Sequence, residues 1–256
     1  MRIVPGLFTK LGKYDIIGLT NEMNMTLQSP TRFGTNEAIN YLIDKFCPLQ
    51  NAAILDVGCG KGGYHQLFSL RGIKGAYLGI DIKERESWQR KRDNGLQISF
   101  MVHNAEKLSS LQQKFNFIIA IQSLEHIRRD SEAIAGMKMC LRDGGYILLT
   151  VPSKYSFCLY PFHGYRRYSI SEIRRLAHQN GLDIKEIIRI GGLSNFFLHI
   201  VLWTIPAVLF RIKIWQFYQK SKLLTGLINK LERFSLSFDK VFGFLEGGYG
   251  VVLRKV

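Results

Sequence analysis

"ILDVGCGKGGYH", residues 54–65, decides how the rest of the chain is read. An apolar run ends in an acid, Asp56, and four glycines follow within residues 58–63, so the chain turns sharply where side chains are missing. Such a turn lets a ligand lie against the backbone, where any Cβ would collide. The glycines fall at Gly58, Gly60 and Gly62, with Gly63 at the third position of a dinucleotide-type GxGxxG. Taken alone, the pattern fits a dinucleotide, a nucleoside or a plain strand-to-helix connection.

Outward from this turn, apolar runs alternate with helical patterns. "AAILDV", "AYLGID", "QISFMV", "FNFIIAI" and "GYILLTV" read as strands. "GYHQLFSL", "RESWQRKRD", a short piece from Glu106 to Gln113 and a segment from Arg129 to Leu141 read as helices. Strands that alternate with helices imply a parallel sheet covered on both faces, and the continuous apolar character of these strands agrees. Upstream, within residues 1–50, "TNEAINYLIDKF" predicts an amphipathic leading helix capped by Thr35 and stopped by Pro48. Downstream, Ser169 with Glu172 forms a capping-box pattern that ends near Gly181, the strand "DIKEIIRI" follows, and "YGVVLRKV" closes the sheet.

The second strand narrows the ligand. Asp81 stands at its carboxyl end, about twenty residues beyond the glycines, where an acid accepts hydrogen bonds from ribose hydroxyls. Asp56, the glycines and Asp81 together favour a nucleoside cofactor.

With five motifs in order, the chain resembles the class I S-adenosylmethionine-dependent methyltransferases, of the broad small-molecule type that includes the ubiquinone-biosynthesis methyltransferases. The motifs are "ILDVGCGKGGY", "LGIDI", "HNAEKL", "FNFIIAIQSLEHI" and "LRDGGYILLTVPS", and the likeness covers about residues 50–190 and the last strand. The resemblance implies an α/β, Rossmann-like sheet with helices on both faces and an antiparallel last strand, within a single methyltransferase domain over residues 1–256. It also implies roles: Asp56, Gly58 and Gly60 at the methionine end of S-adenosylmethionine, Asp81 on the ribose, Ile82 on the adenine face, Asn104 and Ala105 at the adenine edge, and Gln122 near the sulfonium. Asn104 and Asn116 stand where the family often has Asp.

Methyl transfer from a sulfonium is an in-line displacement that rests largely on positioning, with a base needed for a poorly ionised acceptor. Glu125, His126 and His163 are the candidates for that base. Arg166 and Arg167, with Tyr165, follow the fifth strand and suit a phosphate or carboxylate on the acceptor. No metal is expected, because Gln122 replaces the first carboxylate of the Glu-x-x-Glu-His arrangement that some related enzymes use.

Residues 191–247 form a helical insertion before the last strand. "FFLHIVLWTIPAVLF", residues 196–210, is mostly apolar; as a helix it would be roughly 22 Å long, short of the ~30 Å hydrocarbon core, and Pro206 interrupts it. The following part spaces Leu227, Leu231, Phe234, Phe238, Val241 and Leu245 as an amphipathic helix. Trp203, Trp215, Phe217 and Tyr218 beside Arg211, Lys213, Lys220 and Lys222 suit a membrane interface, and a lid over the active site is the other reading.

The chain of 256 residues carries a net charge of +15, which favours an anionic partner. Its four cysteines form no CxxC pair, and the first residues lack the apolar stretch of a signal peptide, so a cytoplasmic protein, in one reading peripheral on the membrane, is expected. The function expected is O-methylation of a small or lipid-linked anionic acceptor, with an anionic membrane surface as a partner in that reading. RNA methylation on the basic surface and a non-catalytic S-adenosylmethionine-binding scaffold are the alternatives. RNA stands behind the leading reading, because no RNA-binding module is recognisable, and the scaffold comes third, because the motifs are intact.

Overall fold

The computed structural model describes residues 33–88, 91–158, 164–205, 222–239 and 244–255. The first 32 residues, His163, Pro206, the basic-aromatic run at 211–220 and Val241 lie outside them. The chain divides into two compact units: Leu42–Ile188 with Gly248–Val256, and Met1–Tyr41 with Arg189–Gly247.

In the first unit the strands are β1 (Ala52–Val57), β2 (Gly75–Asp81), β3 (Lys91–Asp93), β4 (Leu96–Val102), β5 (Phe115–Ile121), β6 (Leu141–Pro152), β7 (Leu182–Ile190, whose last two residues fall in the other unit) and β8 (Gly248–Lys255). Among the described residues they form one sheet in the order β3-β4-β2-β1-β5-β6-β8-β7. β1 is parallel to β2 and β5, β2 to β4, and β5 to β6, while β8 runs antiparallel to β6. The apolar runs explain the arrangement, since Ile54, Leu55, Val57, Ile80, Ile118 and Leu149 are all buried, as strands covered on both faces must be. From β1 the chain builds outward through β2 and β4, then returns to the other side of β1 with β5. The crevice at the carboxyl ends of β1 and β5 is therefore a topological switch point, where open α/β sheets bind ligands.

Helix α1 (Phe33–Phe46) is already helical two residues before Thr35, so Thr35 lies inside it and does not cap it. The helix read over "RESWQRKRD" is not formed. Its end is β3, paired antiparallel with β4 through a two-residue turn in which Asn94 and Gly95 have φ of 50° and 87°. Asn-Gly with positive φ at both positions is the favoured tight hairpin turn, and that local signal overrides the weak helical spacing before it. After α2 (His65–Leu70) and α3 (Asp130–Cys140), the capping box is realised at α4 (Ile170–Gln179): the Ser169 side chain accepts from the Glu172 N–H, and the Glu172 carboxylate accepts from Ser169 N at 2.7 Å. The piece read near Glu106 is a 3₁₀ turn over Ala105–Ser110.

In the second unit, α5 (Leu193–His199) runs on as π-helix over Ile200–Thr204, and α6 spans Lys222–Asp239. Asp239 ties the two together, because its carboxylate accepts from Ser194 N at 2.7 Å and from Asn195 N at 3.0 Å, the free donors of the first turn of α5. The amphipathic spacing of α6 is real, but apart from buried Ile228 the apolar stripe is the exposed one. Glu232, Ser235 and Asp239 are buried, while Leu223, Leu227, Leu231, Phe234 and Phe238 are exposed.

Candidate active site

The glycine turn is pinned to its neighbours from three sides. Gly58 N and Cys59 N both donate to the Ile80 carbonyl at 2.9 Å, and Gly60 N donates to Asp81 Oδ2 at 2.9 Å. The Trp88 indole N–H donates to the Gly60 carbonyl at 2.8 Å, and its ring stacks on Phe100 with centroids 5.4 Å apart. Phe100 in turn fills the space that a Cβ at Gly62 or Gly79 would need. On the other side, Ser123 Oγ donates to the Val57 carbonyl at 2.7 Å, and its Cβ lies 2.6 Å from where a Cβ on Gly58 would stand. Gly58 has φ +76° as well, so backbone and space both demand glycine there. Gln122 adopts φ +48°, an uncommon conformation for a residue with a Cβ; its N–H is held by the Thr150 carbonyl at 3.0 Å.

Above this floor lies a cavity of about 430 Å³, within the range of small-molecule sites. Gly58, Asp81, Ile82, Asn104, Ala105 and Gln122 all line it, so six of the eight residues expected to hold the cofactor come together. Gly60 is pinned to Asp81 at its edge. The set suits a nucleoside. Asp81 accepts from Gly60 N at Oδ2 and, at 3.3 Å, from Lys83 N at Oδ1, and retains further lone pairs; Ile82 offers an apolar surface 73% exposed, and Asn104 commits its Oδ1 to Glu106 N at 2.9 Å, which leaves its amide NH₂ to donate.

The remaining predicted residues divide. His126 and Tyr165 line the cavity, and His163 falls outside the described residues. Glu125 is fully buried beneath the returning chain: its carbonyl accepts from Tyr165 N at 2.7 Å, and Gly164 packs against its side chain. It therefore does not reach the cavity as a base. Arg166 pairs with Asp130 and donates to the Arg128 carbonyl at 2.6 Å, while Tyr168 donates to Asp130 at 3.0 Å. Its guanidinium fastens the segment after β6 to the turn after β5 and is not left for an acceptor. Neither Arg166 nor Arg167 lines the cavity; the arginines that do are Arg85 and Arg128, which no sequence motif marked. His103 and Glu106 line it too; both stand in the "HNAEKL" motif, where neither was singled out.

Asp56 is the third departure. It is buried, and its carboxylate accepts from the Tyr77 hydroxyl on the neighbouring strand, so it braces β1 against β2 from within and does not line the cavity. Burial pushes its carboxyl from 3.8 up to about 7; the Tyr77 hydrogen bond opposes this and the Asp81 charge adds to it. The folded chain thus keeps a proton that the unfolded chain has shed, and the stability from this group declines as pH rises from about 4 to about 7. Asp56→Asn carries no such proton. Its denaturant midpoint is expected to gain on the parent's across that window and to run parallel above it; equal slopes throughout would exclude the protonated state.

A family model described as a methyltransferase domain matches residues 34–187. The chain belongs to that family. As a methyltransferase it takes its methyl group from S-adenosylmethionine. Among curated relatives, the ubiquinone biosynthesis O-methyltransferase of Pseudomonas putida is 26% identical over 166 residues, covering 57% of this methyltransferase and 71% of the relative. The protein of the same name from Thiobacillus denitrificans is 24% identical over 165 residues, covering 57% and 70%. Among solved structures, an S-adenosylmethionine-dependent methyltransferase from Mesorhizobium loti superposes with TM-score 0.53 at 12% identity over 84% of this chain and 96% of that one. The [4+2]-cyclase SpnF gives 0.54 at 16% identity over 86% and 81%. These likenesses fix the fold of the methyltransferase and leave its acceptor to the residues of the cavity.

Proposed function

We propose that this enzyme methylates an oxygen on a small or lipid-linked anionic acceptor, met at a membrane surface. The observation that carries the reading is His126, an imidazole in the wall of the same cavity that Asp81 and Asn104 line. S-adenosylmethionine, when bound, supplies a methyl group already activated on a sulfonium. The protein's part is to orient the acceptor and to remove the proton of a hydroxyl that ionises poorly. His126 takes that proton. Arg85 and Arg128 place two fixed cations at the cavity and draw in an anionic acceptor. Tyr165, 66% exposed, supplies an aromatic surface against which a ring or chain packs. The curated relatives carry O-methyltransferase in their names, which agrees with transfer to oxygen.

The test is release of S-adenosylhomocysteine from purified protein offered a panel of hydroxylated acceptors, phenolic and lipid-linked. His126→Ala is expected to lower kcat about 100-fold on a weakly acidic hydroxyl, with donor affinity unchanged. The loss shrinks on an acidic phenol that ionises unaided. An equal loss across the series would assign His126 to positioning and remove it as the base.

A further inference from the structure

In the described helices of the second unit the stripe left exposed is apolar, although Ile228 of α6 is buried. Along α6, Glu232, Ser235 and Asp239 fall at spacings of three and four and are buried, with Asp239 and Ser235 bonded to Ser194 of α5. The next stripe around the same helix, Leu223, Leu227, Leu231, Phe234 and Phe238, keeps the same spacing and is exposed; Leu223 is 85% and Phe234 72% accessible. The α5 segment repeats this, with Phe197, Val201 and Ile205 exposed four residues apart, while Asn195 and His199 are buried. A unit whose surroundings are water buries the opposite set.

Charge is sorted in the same sense. Residues 191–247 hold seven Lys and Arg against three acids, Glu232, Asp239 and Glu246. All three acids are buried, and Lys230, beside the apolar stripe, is exposed. Burial pushes Glu232 up to about 9, so it sits in the interior as a neutral acid. Among the described residues, what faces outward on α6 is therefore the apolar stripe with Lys230 beside it, and no acid.

We infer that α5 and α6 dock on an anionic lipid bilayer, lying in its interface with the apolar stripe among the acyl chains and the lysines and arginines at the headgroups. No described helix is long and apolar enough to cross a membrane, so the element lies on the surface and does not span it. The charge of the segment selects this occupant: with seven Lys and Arg against three acids, all three buried, a second copy would bring two segments of like net charge together, whereas anionic headgroups neutralise it. The inference deepens the proposed methylation of a lipid-linked acceptor by naming the surface involved, and its measurement needs neither donor nor acceptor.

The full chain is floated with vesicles of phosphatidylcholine alone and with vesicles containing about a third phosphatidylserine. Binding is expected only to the anionic vesicles and should fall as salt is raised. Leu227→Ser with Phe234→Ser is expected to cut partitioning about tenfold while keeping the parent's unfolding temperature and S-adenosylmethionine affinity. Lys230→Glu should weaken binding at low salt alone. Equal binding by the double variant overturns the inference, as does a fall in its unfolding temperature, which would make the stripe a packing face. A parent that ignores vesicles and sediments as a dimer overturns it too. In each of those cases intact S-adenosylhomocysteine release would leave the methyltransferase reading standing.

Discussion

Asp81→Ala is expected to weaken S-adenosylmethionine binding about 100-fold by calorimetry, because the carboxylate does two jobs at once. Oδ2 holds the Gly60 N–H at 2.9 Å and so sets the glycine turn, while Oδ1, which accepts only a long bond of 3.3 Å from Lys83 N, is proposed to accept from a ribose in the cavity that Asp81 lines. Charge-assisted bonds of this kind contribute about 1.5–3 kcal/mol each, so losing both the recognition and the pin exceeds an ordinary surface deletion. Asp81→Asn keeps an acceptor oxygen and loses the charge, and an intermediate loss of about tenfold is expected. Affinity within about twofold of the parent for the alanine variant would mean that the ribose is held elsewhere.

Gly58→Ala is expected to cost about 3 kcal/mol of stability and to reduce turnover about 100-fold. A side chain at φ +76° is strained wherever it stands, and here its Cβ would also lie 2.6 Å from that of Ser123. Ser123 cannot retreat without releasing the Val57 carbonyl, so the turns after β1 and β5 would move apart together and widen the cavity floor. Two companions separate the causes. Gly60→Ala also stands at positive φ, +53°, but has open space around its Cβ, and is expected to lose only about 1 kcal/mol. Ser123→Gly added to Gly58→Ala removes the collision and leaves the backbone strain, so part of the melting temperature should return. If Gly58→Ala and Gly60→Ala fell equally, the contact with Ser123 would be irrelevant.

The parallel sheet was legible because its strands are continuous apolar runs, a pattern that survives whatever packs around them. The placement of the glycine turn and Asp81 was legible for a related reason: it follows from their position at strand ends. Residues whose role depends on direction were not. Asp56 follows a motif that points to the cofactor, yet one strand's pleat turns its carboxylate to Tyr77. Glu125 and His126 are neighbours in sequence, and the 3₁₀ turn over Leu124–His126 buries one and exposes the other. Arg166 read as a free cation because Asp130, its partner, lies thirty-six positions earlier. Arg85 and Arg128 sit in loops, where no periodicity marks a side chain that reaches a cavity. The amphipathic period of α6 was visible, but a period does not say which stripe meets protein.

The aromatic support of the glycine turn links positions that are far apart in the chain. Phe100 occupies the space denied to a side chain at Gly62 and at Gly79, and it carries the Trp88 ring whose N–H holds Gly60. A substitution at one of these positions therefore changes the space open to the others. A relative with alanine at either glycine position must have given up the ring at 100, and one that lost the ring has no plate for an indole at 88. Drift at these sites is therefore expected to come in steps, with compensating pairs of changes arising together and single changes surviving poorly.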